Sequence, residues 1–250
     1  MIIEEIKILK HHGKQFIPDV TKSQVSPLFR GRPLIKPGIP DALAEELQNI
    51  CPSQAIATKP FSIDLGKCVF CKECAFKGLG NIEFINDYKT SANKREDLII
   101  KEGNSNPITI DKSIVRPEIR KLFKHALKMR QVSAGGDNSC EWELNASGNV
   151  NFDMGRFGFE FVASPRHADA VVVTGPISEN MAEALLLTYD ATPTPKVLIL
   201  VGTDAISGGI FTGSEAINRK FLENIKPDLY VPGNPAHPLT FINGLLSLLR

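Results

Sequence analysis

Three cysteines fall at two-residue gaps in Lys67-Cys68-Val69-Phe70-Cys71-Lys72-Glu73-Cys74, and Cys51-Pro52 stands seventeen residues before the run. The chain has five cysteines in all, the fifth being Cys140. An odd count with no secretory signature speaks against a disulfide framework. Thiolates two residues apart can point inward from a tight loop onto three corners of an iron–sulfur cubane, and the fourth corner must then come from elsewhere in the chain. The competing readings are a zinc knuckle and unused thiols. Zinc sites usually pair C-x-x-C units across a longer spacer, sometimes with histidine, whereas here three cysteines share one run and the nearest histidines are His11 and His12. Unused cysteines are ordinarily buried singly, as small apolar residues.

The pattern resembles a bacterial-type two-cluster ferredoxin that keeps one cluster. In such domains the run is C-x-x-C-x-x-C-x-x-x-C-P, and the cysteine before proline ligates the other cluster. Counted back from Cys51-Pro52, the first motif would need cysteines where the chain has Asp41, Ala44 and Leu47; counted forward, the second would close at Gly78. What survives is the pair of parts that together build one cluster. The resemblance therefore implies one [4Fe–4S] cluster held by Cys51, Cys68, Cys71 and Cys74. Phe29-Arg30-Gly31-Arg32-Pro33 is also similar to the lead-in of ferredoxin-like subunits of complex I and membrane-bound hydrogenases.

The second half carries four separated motifs: Arg156 to Ala170 (RFGFEFVASPRHADA), Val173-Thr174-Gly175-Pro176, Val201 to Phe211 (VGTDAISGGIF) and Val231-Pro232-Gly233-Asn234-Pro235. Over residues 116–250 they resemble the small (20 kDa-type) subunit of energy-converting [NiFe] hydrogenases, formate hydrogenlyases and complex I. That family holds a [4Fe–4S] cluster beside the large subunit, with ligands from three loops. The positions corresponding to those ligands are Asp137 and Cys140 in the first loop, Asp204 in the second and Asn234 in the third, so one thiol of four remains. Two carboxylates and an amide remove most of the soft ligation a cluster needs, and the expectation is a second domain without a cluster. A hard-cation site on Asp137, Asp204 and Asn234 is conceivable, but three oxygen donors fall short of the six or more that Mg²⁺ or Ca²⁺ takes. Polar filling of the loop pocket is the preferred reading, with Cys140 a buried structural residue. Arg166-His167 reads as a partner-facing or salt-bridged corner. Trp142 reads as a core or interface anchor, and Ser207-Gly208-Gly209 as a loop free to approach its surroundings closely.

The elements that would position these residues fall into two groups. Ile2 to Leu9 reads as a short strand, followed by a stretch with Pro27, Pro33, Pro37 and Pro40 that is extended or turning. Asp41 to Ile50 reads as a helix capped by Asp41. Thr58 to Leu65 reads as a strand, and Asn81 to Asn86 with Asp97 to Ile100 as a strand pair. Lys101 to Pro107 is polar and turn-rich. Arg116 to Gln131 reads as a basic amphipathic helix with Ile119, Leu122, Phe123 and Leu127 on one face. Ala170 to Thr174, Lys196 to Val201 and Asp228 to Val231 read as buried strands, alternating with helices at Asn180 to Tyr189 and Phe241 to Leu249. That alternation implies a parallel sheet covered on both faces. The expected fold class is α+β followed by α/β. A ferredoxin-like domain spans 1–100, a linker 101–112, and a flavodoxin-like domain with a short parallel sheet 113–250.

The chain has 250 residues and a formal net charge of +1, which gives no electrostatic reason to expect nucleic acid. No uncharged apolar run approaches a membrane span, and the N-terminus lacks the layout of a signal peptide. No G-x-G-x-x-G or P-loop, no Ser-His-Asp arrangement and no paired acid/base carboxylates stand out. The expected function is that of an iron–sulfur electron-transfer subunit, not itself catalytic, partnered by a large hydrogenase-like or complex I-like subunit and the rest of such an assembly. The expected location is cytoplasmic, on the inner face of the membrane through those partners. The alternatives are a redox-silent scaffold whose cluster is structural or sensing, and an enzyme built on a hard metal in the second domain.

Overall fold

In the computed structural model of the chain, which describes residues 2–13 and 15–250, the C-terminal half is built on five parallel strands. They are β6 (Leu127–Ser133), β7 (Phe159–Phe161), β8 (Ala170–Thr174), β9 (Val197–Val201) and β10 (Leu229–Val231), in the order β10-β9-β8-β6-β7. Every residue of β8 and β9 is buried, as central strands of a parallel sheet must be. Successive residues point to opposite faces. Ala170, Val172, Ile199 and Val201 join a core with α4 (Pro117–Phe123), α5 (Ser139–Ala146) and the apolar α9 (Pro238–Leu249). Val171, Val173, Leu198 and Leu200 face the other way, toward α6 (Glu179–Ala191), α7 (Thr203–Ser207) and α8 (Lys220–Asn224).

The second of these cores continues into the N-terminal half, because Ile35, Leu47, Ile63, Leu65 and Leu98 belong to the same apolar cluster. After α1 (Ile2–His12), this half runs β1 (Pro33–Ile35), α2 (Asp41–Ile50), β2 (Ile56–Thr58), β3 (Phe61–Asp64), α3 (Glu73–Lys77), β4 (Ile82–Phe84) and β5 (Ile99–Lys101). β1 pairs antiparallel with β4, β2 with β3, and β3 with β5. Hydrogen bonds tie the halves together. Ala92 and Tyr230 exchange backbone hydrogen bonds, Ser91 Oγ donates to the carbonyl of Thr240 at 2.9 Å, and Thr203 Oγ1 donates to the carbonyl of Cys68 at 2.8 Å.

Several sequence expectations are corrected. Ile2–His12 is a helix, not a strand: Ile2, Ile6 and Leu9 recur at helical spacing, with Glu4 and Glu5 in the first turn and Lys10, His11 and His12 in the last, as the helix dipole favours. Arg116–Gln131 is not one helix. It stops at Phe123, and Leu127 onward is strand β6, between β8 and β7 in the sheet, where buried Leu127 and Met129 flank exposed Lys128. The strands at Ile82 and Ile99 do not pair with each other; they lie in separate sheets. Asp41 is the first residue of α2, not its cap, and makes no capping hydrogen bond.

Candidate metal centre

The cysteine loop is held from outside before its own sulfurs are considered. Asp64, at the end of β3, accepts the amides of Lys67 and Cys68 on its carbonyl and that of Gly66 on its carboxylate. The same carboxylate takes a two-pronged ion pair from Arg95 at 2.7 and 2.6 Å, the fork geometry that fixes direction as well as distance. Cys68 leaves this turn buried, Cys74 lies buried in α3, and Cys51 sits at the C-terminal cap of α2. Between the cysteines Phe70 (φ 53°) and Lys72 (φ 72°) adopt the left-handed conformation. That is uncommon for a side chain and rare for a bulky one, and it lets the loop curl around a centre.

The sulfurs meet backbone donors. The Ala55 amide donates to Cys51 Sγ at 3.2 Å and the Phe70 amide to Cys68 Sγ at 3.3 Å. Burial pushes the Cys68 thiol well up and the Cys74 thiol to about 12, and in both cases the charges of the neighbouring cysteines of the set push the same way. Cys68 and Cys74 are thus held as neutral thiols that any metal must deprotonate, while Cys51 and Cys71 are half-buried. The donor set is all thiol, it carries N–H···S bonds, and it is soft; it fits an iron–sulfur cluster. Among the described residues no three His, Cys, Asp or Glu side chains gather closely enough for a single metal ion. That spacing is tighter than a cubane requires: a lone Zn²⁺ at about 2.3 Å from each ligand draws sulfurs to about 3.8 Å of one another.

The second set of positions lies at the C-terminal edge of the parallel sheet, where loops from three strands converge. Asp137 is exposed and accepts the amide and hydroxyl of Ser139 at the start of α5, which holds its carboxyl below the usual range. Cys140 presses on Gly202: a Cβ there would stand 2.4 Å from its Sγ. Burial pushes the Cys140 thiol to about 12. Asp204, in α7, lies against Gly209, where a Cβ would meet its Oδ1 at 1.8 Å. That Oδ1 is buried without a hydrogen-bond partner. Burial raises the Asp204 carboxyl, as do the charges of Asp137 and Glu141. Asn234 precedes Pro235 in the third loop. The structure thus brings Asp137, Cys140, Asp204 and the Asn234 loop together, but as one thiol, two carboxylates and an amide. This set does not fit a [4Fe–4S] cluster.

Residues 138–248 match the family of the NADH ubiquinone oxidoreductase 20 kDa subunit. A probable membrane-bound hydrogenase subunit of Pyrococcus furiosus is 36% identical over 119 residues, covering 48% of this chain and 71% of that protein. The chain belongs to this 20 kDa subunit family. Formate hydrogenlyase subunit 7 of Escherichia coli is 34% identical over 145 residues, 57% of each chain. An NADH-quinone oxidoreductase subunit of Heliobacterium modesticaldum is 34% identical over 151 residues, 60% of this chain and 86% of the other. The motifs quoted above from Arg156 onward all lie inside the family match, whereas the cysteine run at Cys68 lies outside it.

Three residues support these sites in roles the sequence does not reveal, although Arg30 and Thr203 lie within the motifs quoted above. Arg30 donates through Nη1 to the carbonyls of Phe70 at 2.8 Å and Cys71 at 3.2 Å. Thr203 reaches Cys68 from the family's second ligand loop. Glu141 accepts from Ser133 at 2.5 Å and Thr174 at 2.7 Å beneath the degenerate site. A cleft of about 310 Å³ lies between the halves, lined among others by Arg30, Phe70, Glu143, Asn234 and His237. Trp142 is 77% exposed and is not a core residue; its interface reading remains. Arg166 and His167 are not buried.

Proposed function

We propose that this chain is an iron–sulfur electron-transfer subunit of an assembly of the hydrogenase or complex I kind. In this reading residues 1–100 form a ferredoxin-like domain carrying one [4Fe–4S] cluster on Cys51, Cys68, Cys71 and Cys74, and residues 113–250 form the family domain without a cluster. The observation that carries it is the all-thiol set with its inward amide donors, set beside a second site that keeps only Cys140. The order β1-α2-β2-β3-α3-β4, with β1 on β4 and β2 on β3, supports the ferredoxin-like reading. When bound, such a cluster supplies a centre that accepts and gives up one electron. The chain's own residues orient the thiolates, donate hydrogen bonds to sulfur and exclude water, the features that set a cluster's potential.

A partner subunit is supported by the exposed apolar side chains. Leu28, Phe76 and Leu79 on the cysteine-bearing half, and Trp142 and Ile210 near the degenerate site, all stand largely free of the protein's own core. No helix among the described residues is long and apolar enough to cross a membrane, so membrane attachment in this reading runs through partners. The second reading is a scaffold whose cluster is structural or sensing. It is favoured by the degenerate ligand set and by the Thr203 bond, which makes the second loop a brace for the first.

The test is iron and acid-labile sulfide per chain on anaerobically purified protein, with an EPR spectrum after reduction. About four irons with a reduced-cubane signal support the reading. About eight irons refute the empty second domain, and zinc without sulfide refutes the cluster. A full complement of iron that cannot be reversibly reduced assigns the scaffold instead.

A further inference from the structure

We propose that Arg30 is a positioning residue for the Cys68–Cys74 loop, and that its charge raises the reduction potential of the cluster held there; this rests on the function proposed above. Residues far from the loop in sequence hold three of its carbonyls: Phe70 and Cys71 by Arg30, and Cys68 by Thr203. In a trans peptide the N–H points opposite to the C=O. Turning the carbonyls of Phe70 and Cys71 toward Arg30 therefore turns the amides of Cys71 and Lys72 away from it. The Phe70 carbonyl belongs to the bulkier of the two left-handed residues, a conformation that persists only where surroundings impose it. Arg30 grips the backbone at that point.

Arg30 is itself anchored. The amides of its neighbours Gly31 and Arg32 donate to the carbonyls of Ile85 and Asp87, and Arg32 pairs with the Asp87 carboxylate at 3.1 Å. The guanidinium is thus held beside the loop by its two carbonyl contacts, whereas the ammonium groups of Lys67 and Lys72, which also lie in the loop, sit on flexible stems. Reduction adds one negative charge to the cluster. A fixed cation stabilises that state more than the oxidised one, so its removal lowers the potential.

The experiment is an EPR-monitored redox titration of the full chain, with the rate of iron release to a chelator followed in parallel, for wild type, Arg30→Gln and Arg30→Lys. Arg30→Gln is expected to cut the reduced-to-oxidised ratio at the wild-type midpoint by up to about tenfold, tenfold being 59 mV for one electron, and to release iron faster. Arg30→Lys keeps the charge but replaces the rigid planar guanidinium, whose Nη1 reaches both carbonyls, by a flexible ammonium; it is expected to hold the midpoint closer to wild type while still releasing iron faster. If Arg30→Gln assembles no cluster while Arg30→Lys does, the clamp stands. If neither does, circular dichroism and thermal unfolding decide: native-like folding assigns the clamp to the guanidinium itself, and unfolding overturns the proposal. Wild-type midpoint and iron release in both variants overturn it outright. Wild-type protein without iron and sulfide refutes instead the function on which the proposal rests.

Discussion

Asp204 offers the sharpest test of the degenerate site. Its Oδ1 is buried against Gly209 without a hydrogen-bond partner, and burial raises the carboxyl from its ordinary 3.8, with Asp137 and Glu141 adding repulsion. A carboxyl whose pKa is higher in the folded state keeps its proton where the unfolded chain has lost it. Folding stability then falls as pH rises through the interval above 3.8 and stays low once the group is ionised. Asp204→Asn removes the charge at nearly constant volume, so the variant escapes that loss. A buried polar group without a partner costs about 1–3 kcal/mol. Asp204 retains some solvent contact, and asparagine would keep part of the unpaired polarity, so the expected gain at neutral pH is about 1 kcal/mol. For a chain of this size that is roughly 2–4 °C in Tm. The assay is anaerobic thermal unfolding at one scan rate, at pH 7.5 and pH 5. The variant should melt higher, with the larger difference at pH 7.5. If Asp204→Asn melts lower at pH 7.5, and EDTA lowers the melting of the wild type but not of the variant, then Asp204 holds a cation and this reasoning fails.

Three further outcomes follow from the same geometry. Cys68→Ser should abolish the visible absorbance and reduced EPR signal of the cluster, whereas Cys140→Ser should leave iron at about four per chain; equal loss in both would relocate the cluster. Thr203→Val strips the Cys68 carbonyl of its donor and should lower stability by about 1 kcal/mol, with Thr203→Ser close to wild type, as read by apparent Tm. Deleting residues 1–12 should change stability by less than about 0.5 kcal/mol, because no residue of α1 is buried; a larger drop would mean that this helix packs on the protein.

The strands at Ala170 and Val197 are legible in the sequence because a parallel strand covered on both faces must be apolar at every position. Gly175-Pro176 after the first and Gly202 after the second mark their ends. Strand β6 hides for the opposite reason. Ile119, Leu122, Phe123 and Leu127 keep helical spacing through Lys124-His125-Ala126, where no glycine or proline marks the break, and only the alternation of Leu127 and Met129 with Lys128 betrays a strand. The four clustered thiols are legible as a candidate ligand set from spacing alone. Their supports are not: the Arg30 bonds span 40 and 41 residues and the Thr203 bond 135, and no local periodicity encodes a partner that far away.

The Thr203 bond also explains why a loop can look like a ligand loop while lacking ligands. Gly202 (φ 90°) and Gly209 (φ 55°) take backbone conformations that favour glycine, and Cys140 Sγ and Asp204 Oδ1 crowd the space a side chain there would need. Thr203 between them is needed by Cys68, in the other half of the protein. Each of these demands comes from packing, and none requires a metal at position 204. The motif from Val201 to Gly209 therefore reports the fold of the loop and its contact with the cysteine run. The identity of residues 137, 140, 204 and 234 alone bears on whether a second cluster can form. On that separation, Asp204→Cys would leave the loop's shape intact yet restore only two soft ligands of four. Iron in such a variant should stay at about four per chain.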